Sequence, residues 1–599
     1  MRPAIDAGPS ARASGRARIA AGRSLGRLQA RLGASGRELA CLGGIIMTAA
    51  VLRLVNLPVR GGWDSDQGTE MLAMRSALAT GRLPTFGPEA ISVASSFHHG
   101  ALYYDLLLPA AWLGNGDPTW VVAEIALLSL LVVPIVWWIA RSIGGPAAGL
   151  TAALLAAVSA SLISYAAFIW NPTLVEPGAA IAFLGAWQAL RTSRPGWWIV
   201  SAAGAAVAVQ AHIAAGVIVL PLALAFLADL RRGPAARRGR IAALGLAGVA
   251  LFMVTYLPLI VYELGHDFSD TRGMVAYFSD PNSTSTAAPP LRVLFAAIRI
   301  VAWPLTRWPI VDFKPAFALA FITASAVFIG LVWRLGVTAR RGASQGREPA
   351  RRREPAKGRN PANRATASGA DEPELATDST AAITTVEAAQ TEGAAAIERF
   401  GTRLIGAWLL LIILALGLGL HAVSEVQELP TEQYHVVADP LVFVAAGLIL
   451  GGLWRPLPRR WVTVARRVAA IATIGALLAW NAGHWPPLTS ADGGWPAAQA
   501  AATRLEGDAG GTSMALVPLF AEKGGDAYLY PLTRDGFTLV APERATTVVL
   551  LCDTFWLEGC GGAAEASWLA TNAAGSGLTQ KDQFPAAPDR ILTVYRRGQ

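Results

Sequence analysis

The chain has few cysteines and few charged residues. Only three cysteines occur among 599 residues, too few for a zinc ribbon, and Cys41 lies in an apolar run, so only Cys552 and Cys560 could pair with each other. Charged residues make up 15% of the chain, against roughly 25% in a soluble globular protein. Hydrophobic residues make up 53%, and the mean hydropathy is +0.42. This composition indicates an integral membrane protein.

The formal net charge of +9 could suggest a nucleic-acid partner. The arginines, however, fall in short runs between apolar stretches, where they are typical determinants of membrane topology. We therefore expect no nucleic-acid binding.

Residues 1–38 are rich in arginine and contain no compact apolar run that ends in a small-residue cleavage site. They are predicted to form a basic cytoplasmic tail and not a cleavable signal peptide. The first span is predicted over 39–57, near the roughly 20 residues that cross a bilayer. The segment 58–118 should then be an extracytoplasmic loop. The arginines of the tail are Arg2, Arg12, Arg16, Arg18, Arg23, Arg27, Arg31 and Arg37.

Further apolar segments predict about eleven spans in all, so the expected fold is mostly α, a polytopic bundle of membrane helices. If the chain crosses the membrane at every predicted span, the Arg-rich turns all lie inside the cell and most of the histidines lie outside. One assignment of spans thus explains both distributions, which supports it. The later spans are predicted near 119–140, 145–165, 172–190, 197–211, 213–230, 241–262, 314–335, 402–420, 439–454 and 464–481.

Two segments differ from this pattern. Residues 336–400 show no apolar period and are predicted to be a disordered cytoplasmic linker within the membrane module of 39–485. Residues 486–599 are predicted to be a small extracytoplasmic α/β domain with strands at 512–519, 546–552 and 590–595. Outside the cell, a disulfide between Cys552 and Cys560 would be possible.

The acidic cluster Trp63-Asp64-Ser65-Asp66-Gln67-Gly68 directly follows the first span. Residues 65–80 are predicted to form an amphipathic helix on the membrane surface, with Asp64 as N-cap and Gln67 completing a capping box. Asp66 lies in the first turn, where the helix dipole also favours a carboxylate. Residues two apart on a helix do not face each other, so Asp66 can share a face with Glu70 and not with Asp64.

This arrangement resembles the GT-C membrane glycosyltransferases, and in particular bacterial members of the protein O-mannosyltransferase and aminoarabinose transferase group. Their acidic pair is usually Asp-Glu, whose Asp is the catalytic acid/base residue; the matching residues here are Asp66 and Gln67. The resemblance covers about residues 39–485. It also involves the stretch from Ser96 to Tyr104, Trp170-Asn171-Pro172 and Gln210-Ala211-His212.

The resemblance implies an enzyme that transfers a sugar from a polyprenyl-phosphate donor to an extracytoplasmic protein, lipid or cell-wall glycan, with inversion and with Asp66 as general base. A divalent metal is possible but not required. A transporter of lipid-linked saccharide is the alternative from another class, although no repeated halves are visible. A non-catalytic assembly subunit, whose acidic cluster is only a helix cap, is a third.

Further polar residues on the outer side are candidates for substrate contact, each with a plain structural alternative such as helix packing, a helix boundary or an exposed loop. The adjacent His98 and His99 could also ligate zinc. In the transferase group, an Arg-Tyr-like pair that contacts lipid phosphate often lies where this chain has Tyr434-His435. Alternative phosphate contacts on the outer side are Arg272, Arg292, Arg299 and Arg307, the last two in a predicted interfacial helix. The predicted contact residues are Asp64, His98, His99, Tyr103, Asn171, Gln210, His212, Glu263, Tyr434 and His435.

Overall fold

A computed structural model describes residues 29, 33–91, 95–279, 287–307, 315–345, 376–419, 432–520 and 524–598. Nearly all of the predicted basic tail lies outside the described residues. So do the centre of the predicted linker and the first part of the predicted outer loop at 421–435.

The membrane region is built from helices, with a two-stranded hairpin in the first loop and short 3-10 turns at Asn171–Leu174, Ile213–Ile218, Glu432–Tyr434 and Val436–Ala438. The hairpin pairs β1 (Glu89–Ile91) with β2 (Ser96–His98) in antiparallel register. The helices are α1 (Gly36–Leu54), α2 (Leu57–Arg60), α3 (Ser65–Thr80), α4 (Leu102–Leu113), α5 (Pro118–Leu130), α6 (Val132–Gly144), α7 (Pro146–Val158), α8 (Ala160–Tyr165), α9 (Val175–Thr192), α10 (Trp197–Ala211), α11 (Val219–Arg232), α12 (Ala235–Thr255), α13 (Leu257–Gly265), α14 (Ser269–Ser279), α15 (Pro289–Thr306), α16 (Pro315–Gln345), α17 (Ala376–Gly419), α18 (Asp439–Gly452) and α19 (Arg460–Gly483).

Seven helical segments among the described residues are long and apolar enough to cross a membrane, and three shorter apolar helices accompany them. The chain is therefore a mostly helical, multi-pass membrane protein. The first predicted span, α1, carries charged residues that have polar partners on other helices. Glu38 pairs with Arg141 at 2.6 Å, and Arg53 donates to the carbonyls of Ala156 and Ala157 at 3.0 and 2.9 Å.

Helix α15 has the length and composition of a span. Each of its two ends contacts the C-terminal end of another helix. Arg292 donates to the carbonyl of Leu418 near the end of α17, and Arg307 donates to the carbonyl of His484 just after α19. A crossing by α18 followed by a return crossing by α19 would put these two ends on the same face. The interfacial position expected for this helix stays a prediction.

The prediction of a disordered linker over 336–400 covers too many residues at both ends. Helix α16 continues to Gln345 and α17 begins at Ala376, so only the residues between them lie outside described structure. Glu398 explains part of this difference, because it is buried and pairs with Arg334 at 2.9 Å and with Arg455 at 2.7 Å. Neither partner is visible from local sequence.

After residue 485, the described residues form a domain with a five-stranded sheet. Its elements are α20 (Gly494–Ala509), β3 (Ser513–Pro518), α21 (Asp526–Arg534), β4 (Thr538–Leu539), β5 (Thr547–Asp553), α22 (Ala563–Asn572), β6 (Leu578–Ala587) and β7 (Arg590–Arg597). The strand order is β4-β3-β5-β7-β6. Strands β3 and β5 are parallel, whereas β7 runs antiparallel to both of its neighbours. The three predicted strands are present as β3, β5 and β7, whereas β4 and β6 are additional to the prediction.

A disulfide joins Cys552 at the end of β5 to Cys560, with 5.5 Å between their Cα atoms. The domain docks on the first loop of the membrane region. Trp63 donates through its backbone to Asp492 and through its indole to the carbonyl of Ala527, both at 2.7 Å. The acidic cluster therefore lies between the membrane helices and the C-terminal domain.

Candidate functional site

The start of α3 is fixed by its own side chains. The Asp64 carboxylate accepts from the backbone N–H of Asp66 at 2.8 Å, and Gln67 accepts from the backbone of Asp64 at 2.8 Å. The predicted capping box is present. Gln67 also donates to the carbonyl of Ile169 at 2.9 Å. Gln67 thus ties the helix to the membrane region.

Asp66 is half-buried in the first turn, and Glu70 follows one turn later. Glu70 is only 4% exposed. Burial raises the pKa of Glu70 to about 8; a hydrogen bond with Tyr104 opposes this shift, and the charge of Asp66 adds to it. Burial beside Glu70 likewise raises the pKa of Tyr103 well above its usual range. Asp66 therefore has as its neighbour a second carboxyl group that is largely neutral near pH 7.

The adjacent histidines of the first loop point to different partners, as neighbouring residues at a strand do. The His98 ring bonds the Asp270 carboxylate at 2.7 Å. His99 is 6% exposed, and burial holds its pKa well below the usual range. Among the described residues, no group of three or more His, Cys, Asp or Glu side chains is placed to hold a metal ion. The His98 ring is therefore held by Asp270, whereas the His99 ring lies beside His212.

His99 begins a row of rings that joins three separate segments. Its ring centroid lies 5.2 Å from that of His212, which lies 5.3 Å from that of Tyr434. His435 is fully buried, and neither ring nitrogen has a hydrogen-bond partner in the described part of the chain. The Trp303 ring lies 6.3 Å away. The fold therefore gathers the first loop, the end of α10 and the segment before α18.

Two predicted contact residues are occupied in packing. Asn171 is buried and donates to the carbonyl of Ala211 at 2.6 Å. Gln210 is fully buried, donates to Thr255 at 2.5 Å and accepts from the backbone of Leu102 at 3.3 Å. Both amides tie neighbouring helix ends together.

Glu263 serves the start of α14. Its two carboxylate oxygens accept from the backbone N–H groups of Asp270 and Thr271 at 2.9 and 2.8 Å. Because Asp270 in turn holds His98, Glu263 stabilises the segment that anchors the hairpin of the first loop.

Of the four arginines predicted on the outer side, two approach the segment before α18. Arg299 and Arg307 act electrostatically on Glu432; burial raises the pKa of this carboxyl and the two guanidinium groups lower it. Arg307 also donates to the hydroxyl of Ser164 at 3.0 Å. The two other outer arginines donate to backbone carbonyls, Arg272 to Asp267 and Arg292 to Leu418.

A pair of buried carboxyl groups escaped the sequence prediction. Glu176 and Asp439 are 1% and 0% exposed and lie within hydrogen-bond reach of each other, with Arg53 nearby. Among the described residues, no other N–H or O–H group donates to any of the four oxygens. Two carboxyl groups in such contact need a shared proton. The available signal was that both are acids inside predicted spans, where charged groups are rare and need partners.

The whole architecture is similar to that of ArnT from Cupriavidus metallidurans. The apo structure aligns with a TM-score of 0.54 at 13% identity and covers 92% of this chain and 97% of that chain. The structure of ArnT bound to undecaprenyl phosphate gives 0.53 at 13% identity, with 94% and 98% covered.

The archaeal oligosaccharyltransferase AglB from Archaeoglobus fulgidus, in complex with an inhibitory peptide and a dolichol-phosphate, gives a TM-score of 0.46 at 11% identity, with 94% and 74% covered. No family model and no curated protein matches the sequence. The chain shares the overall fold of ArnT, which confirms the predicted resemblance at the level of the fold.

Proposed function

We propose that the protein is a membrane glycosyltransferase that moves a sugar from a polyprenyl-phosphate donor to an acceptor outside the cell membrane. The observation that carries this proposal is the place of Asp66. In a chain with this fold, it starts a helix that is held between the membrane region and the C-terminal domain. A carboxylate there can meet a lipid-borne donor and a water-borne acceptor.

In the proposed step, an acceptor hydroxyl attacks the anomeric carbon of the donor sugar and gives its proton to the Asp66 carboxylate. The bond from the anomeric carbon to the phosphate oxygen breaks, and polyprenyl phosphate leaves with that electron pair. One displacement inverts the anomeric centre. General-base assistance of this kind contributes about 10²- to 10⁴-fold in rate.

For the donor phosphate, we assign Arg299 and Arg307, because guanidinium groups bind phosphate oxygens well. Both act electrostatically on Glu432, two residues before Tyr434 of the ring row. ArnT, which shares the fold, has been crystallised with undecaprenyl phosphate, which supports a donor of this kind.

The predicted contact residues divide into two groups under this proposal. His99, His212, Tyr434 and His435 would contact substrate along the ring row and its neighbour Trp303, and Tyr103 would do so beside Glu70. Positioning roles fall to the residues whose side chains already cap or tie helices, namely Asp64, His98, Asn171, Gln210 and Glu263.

The test is transfer of radiolabelled sugar by the full-length protein in lipid nanodiscs, with polyprenyl phosphates that carry a hexose or a pentose and a cell-envelope extract as acceptor. Asp66→Asn should lower the transfer rate about 10²- to 10⁴-fold. The matched control is Asp117→Asn. Asp117 caps α5 by accepting from Thr119 at 2.8 Å, and Asn caps a helix about equally well, so transfer should stay near the wild-type rate.

Full transfer by Asp66→Asn would exclude Asp66 as the base. Movement of intact donor across the bilayer by the wild type, with no transfer from any donor, would instead indicate a transporter.

A further inference from the structure

A cleft lies between the start of α3 and the sheet of the C-terminal domain, with a cavity volume of about 150 Å³. It is bordered by the acidic cluster on one side and, on the other, by the end of β5, the loop that follows it and the start of β7. The side chains used below are Asp64, Asp553, Phe555, Trp556, Asp589 and Arg590.

Two large aromatic side chains are exposed at this cleft. Phe555 is 68% and Trp556 is 43% exposed, and their ring centroids lie 4.8 Å apart at an interplanar angle of 83°. Rings left in water forgo the stabilisation of burial, so neighbouring exposed rings mark a contact surface. Their loop is fixed at both ends, because the disulfide of Cys552 and Cys560 spans it and Asp553 accepts from the backbone of Phe555 at 2.9 Å.

The polar groups of the cleft are also held in place. Arg590 donates to the carbonyl of Trp63 at 2.9 Å and lies 3.4 Å from the Asp553 carboxylate. The Asp589 side chain is 44% exposed and available to solvent. Together with Asp64, three carboxylates face one guanidinium group, so the cleft disfavours phosphates and anionic lipid headgroups.

We propose that this cleft binds a neutral sugar residue of the acceptor. An aromatic ring can cover the C–H face of a pyranose or furanose, while carboxylates accept from its hydroxyl groups. Asp64 borders the cleft and stands two residues before Asp66, so a sugar bound here belongs to a chain that passes the candidate base. The acceptor role rests on the proposed function; binding of the sugar does not.

The test is isothermal titration of the full-length protein in nanodiscs, without donor, with three neutral probes: maltotriose, a mannan-derived trisaccharide and an arabinan-derived trisaccharide. A polygalacturonic trisaccharide is the anionic probe. At least one neutral probe should bind, more tightly than the anionic one. The double variant Phe555→Ala with Trp556→Ala should weaken that binding at least about tenfold, and Asp589→Asn should weaken it less.

The matched control is Asp535→Asn, an exposed aspartate of the same domain away from the cleft, which should bind as the wild type does. Unchanged melting temperatures would show that the variants are folded, since the replaced side chains are exposed. Binding of no neutral probe, or equal binding by the double variant, would overturn the inference.

The two proposals can fail separately. If sugar transfer depends on Asp66 but no saccharide binds at the cleft, the glycosyltransferase proposal stands and the proposed sugar site is wrong. If the protein binds a saccharide, the double variant loses that binding and no sugar is transferred, the proposed sugar site stands and its acceptor role is wrong.

Discussion

Glu70 sets the electrostatic surroundings of Asp66. It lies one helical turn away, on the same face, and is bonded to Tyr104 in a nearly dry environment. A protonated Glu70 adds no negative charge beside Asp66, whereas an ionised one would repel it. The protonation state of Glu70 should therefore affect both the stability of the fold and the charge of the candidate base.

The wild-type protein should lose stability as the pH rises, because Glu70 has a raised pKa in the fold. The variant Glu70→Gln should not show this loss. The carboxyl pKa is 4.5 in the reference state and about 8 in the fold. Below pH 4.5 the group is neutral in both states; above it, only the unfolded chain releases the proton. The free energy of unfolding should then fall by up to about 1.4 kcal/mol per pH unit until about pH 8.

Thermal unfolding of the two proteins between pH 5 and pH 9 measures this difference. Glu543→Gln, at an exposed position of the C-terminal domain, is the control and should keep the wild-type slope. A slope in Glu70→Gln as steep as that of the wild type would show that another group carries the pH dependence.

Residue contacts could be predicted where both partners are close in sequence. The cap of Asp64 and Gln67 spans three residues, and its side-chain types announce it. By contrast, Glu176 meets a partner 263 positions away at Asp439. The membrane-span pattern gives each acid a depth but not a neighbour, because depth follows from hydropathy whereas lateral contacts follow from helix packing.

As an element, α3 joins the two parts of the molecule. Gln67 reaches the membrane region, whereas Gly68 lies directly against α21 of the C-terminal domain. A Cβ atom at Gly68 would stand 2.1 Å from the backbone oxygen of Asp526. On the same side, Thr69 donates to the Asp526 carboxylate at 2.6 Å. The absence of a side chain at residue 68 is what lets the domain reach the candidate base.

Gly68→Ala should therefore loosen the docking of the domain. Glycine to alanine inside a helix ordinarily stabilises by about 0.5–1 kcal/mol, but here the clash with a backbone atom should outweigh that gain and destabilise by about 1–3 kcal/mol. Hydrogen–deuterium exchange should rise in α21 and at the start of α3. Sugar transfer should fall with it, because Asp66 loses one of its supports.

The control for that experiment is Gly62→Ala, six residues earlier in the same loop. The nearest atom to a Cβ there is an Asp492 carboxylate oxygen at 3.4 Å, which is an ordinary contact. Unchanged exchange in α21 with alanine at residue 68 would mean that the domain does not depend on this close approach.

Over the whole molecule, the sequence patterns predict the succession of apolar helices and the placement of a sheet domain at the end. They do not predict how that domain sits. Its contacts with the first loop, such as those of Trp63 with Asp492 and Ala527, join segments more than 400 positions apart. Neither β4, with two residues, nor β6, whose exposed polar face hides its period, shows a clear strand signal.

The orientation in the membrane is a prediction that two glycines can test. Arginine-rich turns such as 231–240 are expected inside the cell, and the C-terminal domain outside. Gly239 lies in the first and Gly507 in the second, and a Cβ atom at either would meet nothing within 4 Å. Either residue can therefore become a cysteine without a clash, in a chain whose Cys41 has been replaced by serine.

A membrane-impermeant maleimide applied to intact cells should label Gly507→Cys and leave Gly239→Cys unlabelled until the cells are permeabilised. Disulfide-bonded Cys552 and Cys560 should not react, and the chain with only the Cys41→Ser change measures that background. The reverse labelling pattern would put Asp66 and the sugar cleft on the cytoplasmic side. A polyprenyl-phosphate donor would then have to act at the inner leaflet, and the proposed extracytoplasmic transfer could not stand.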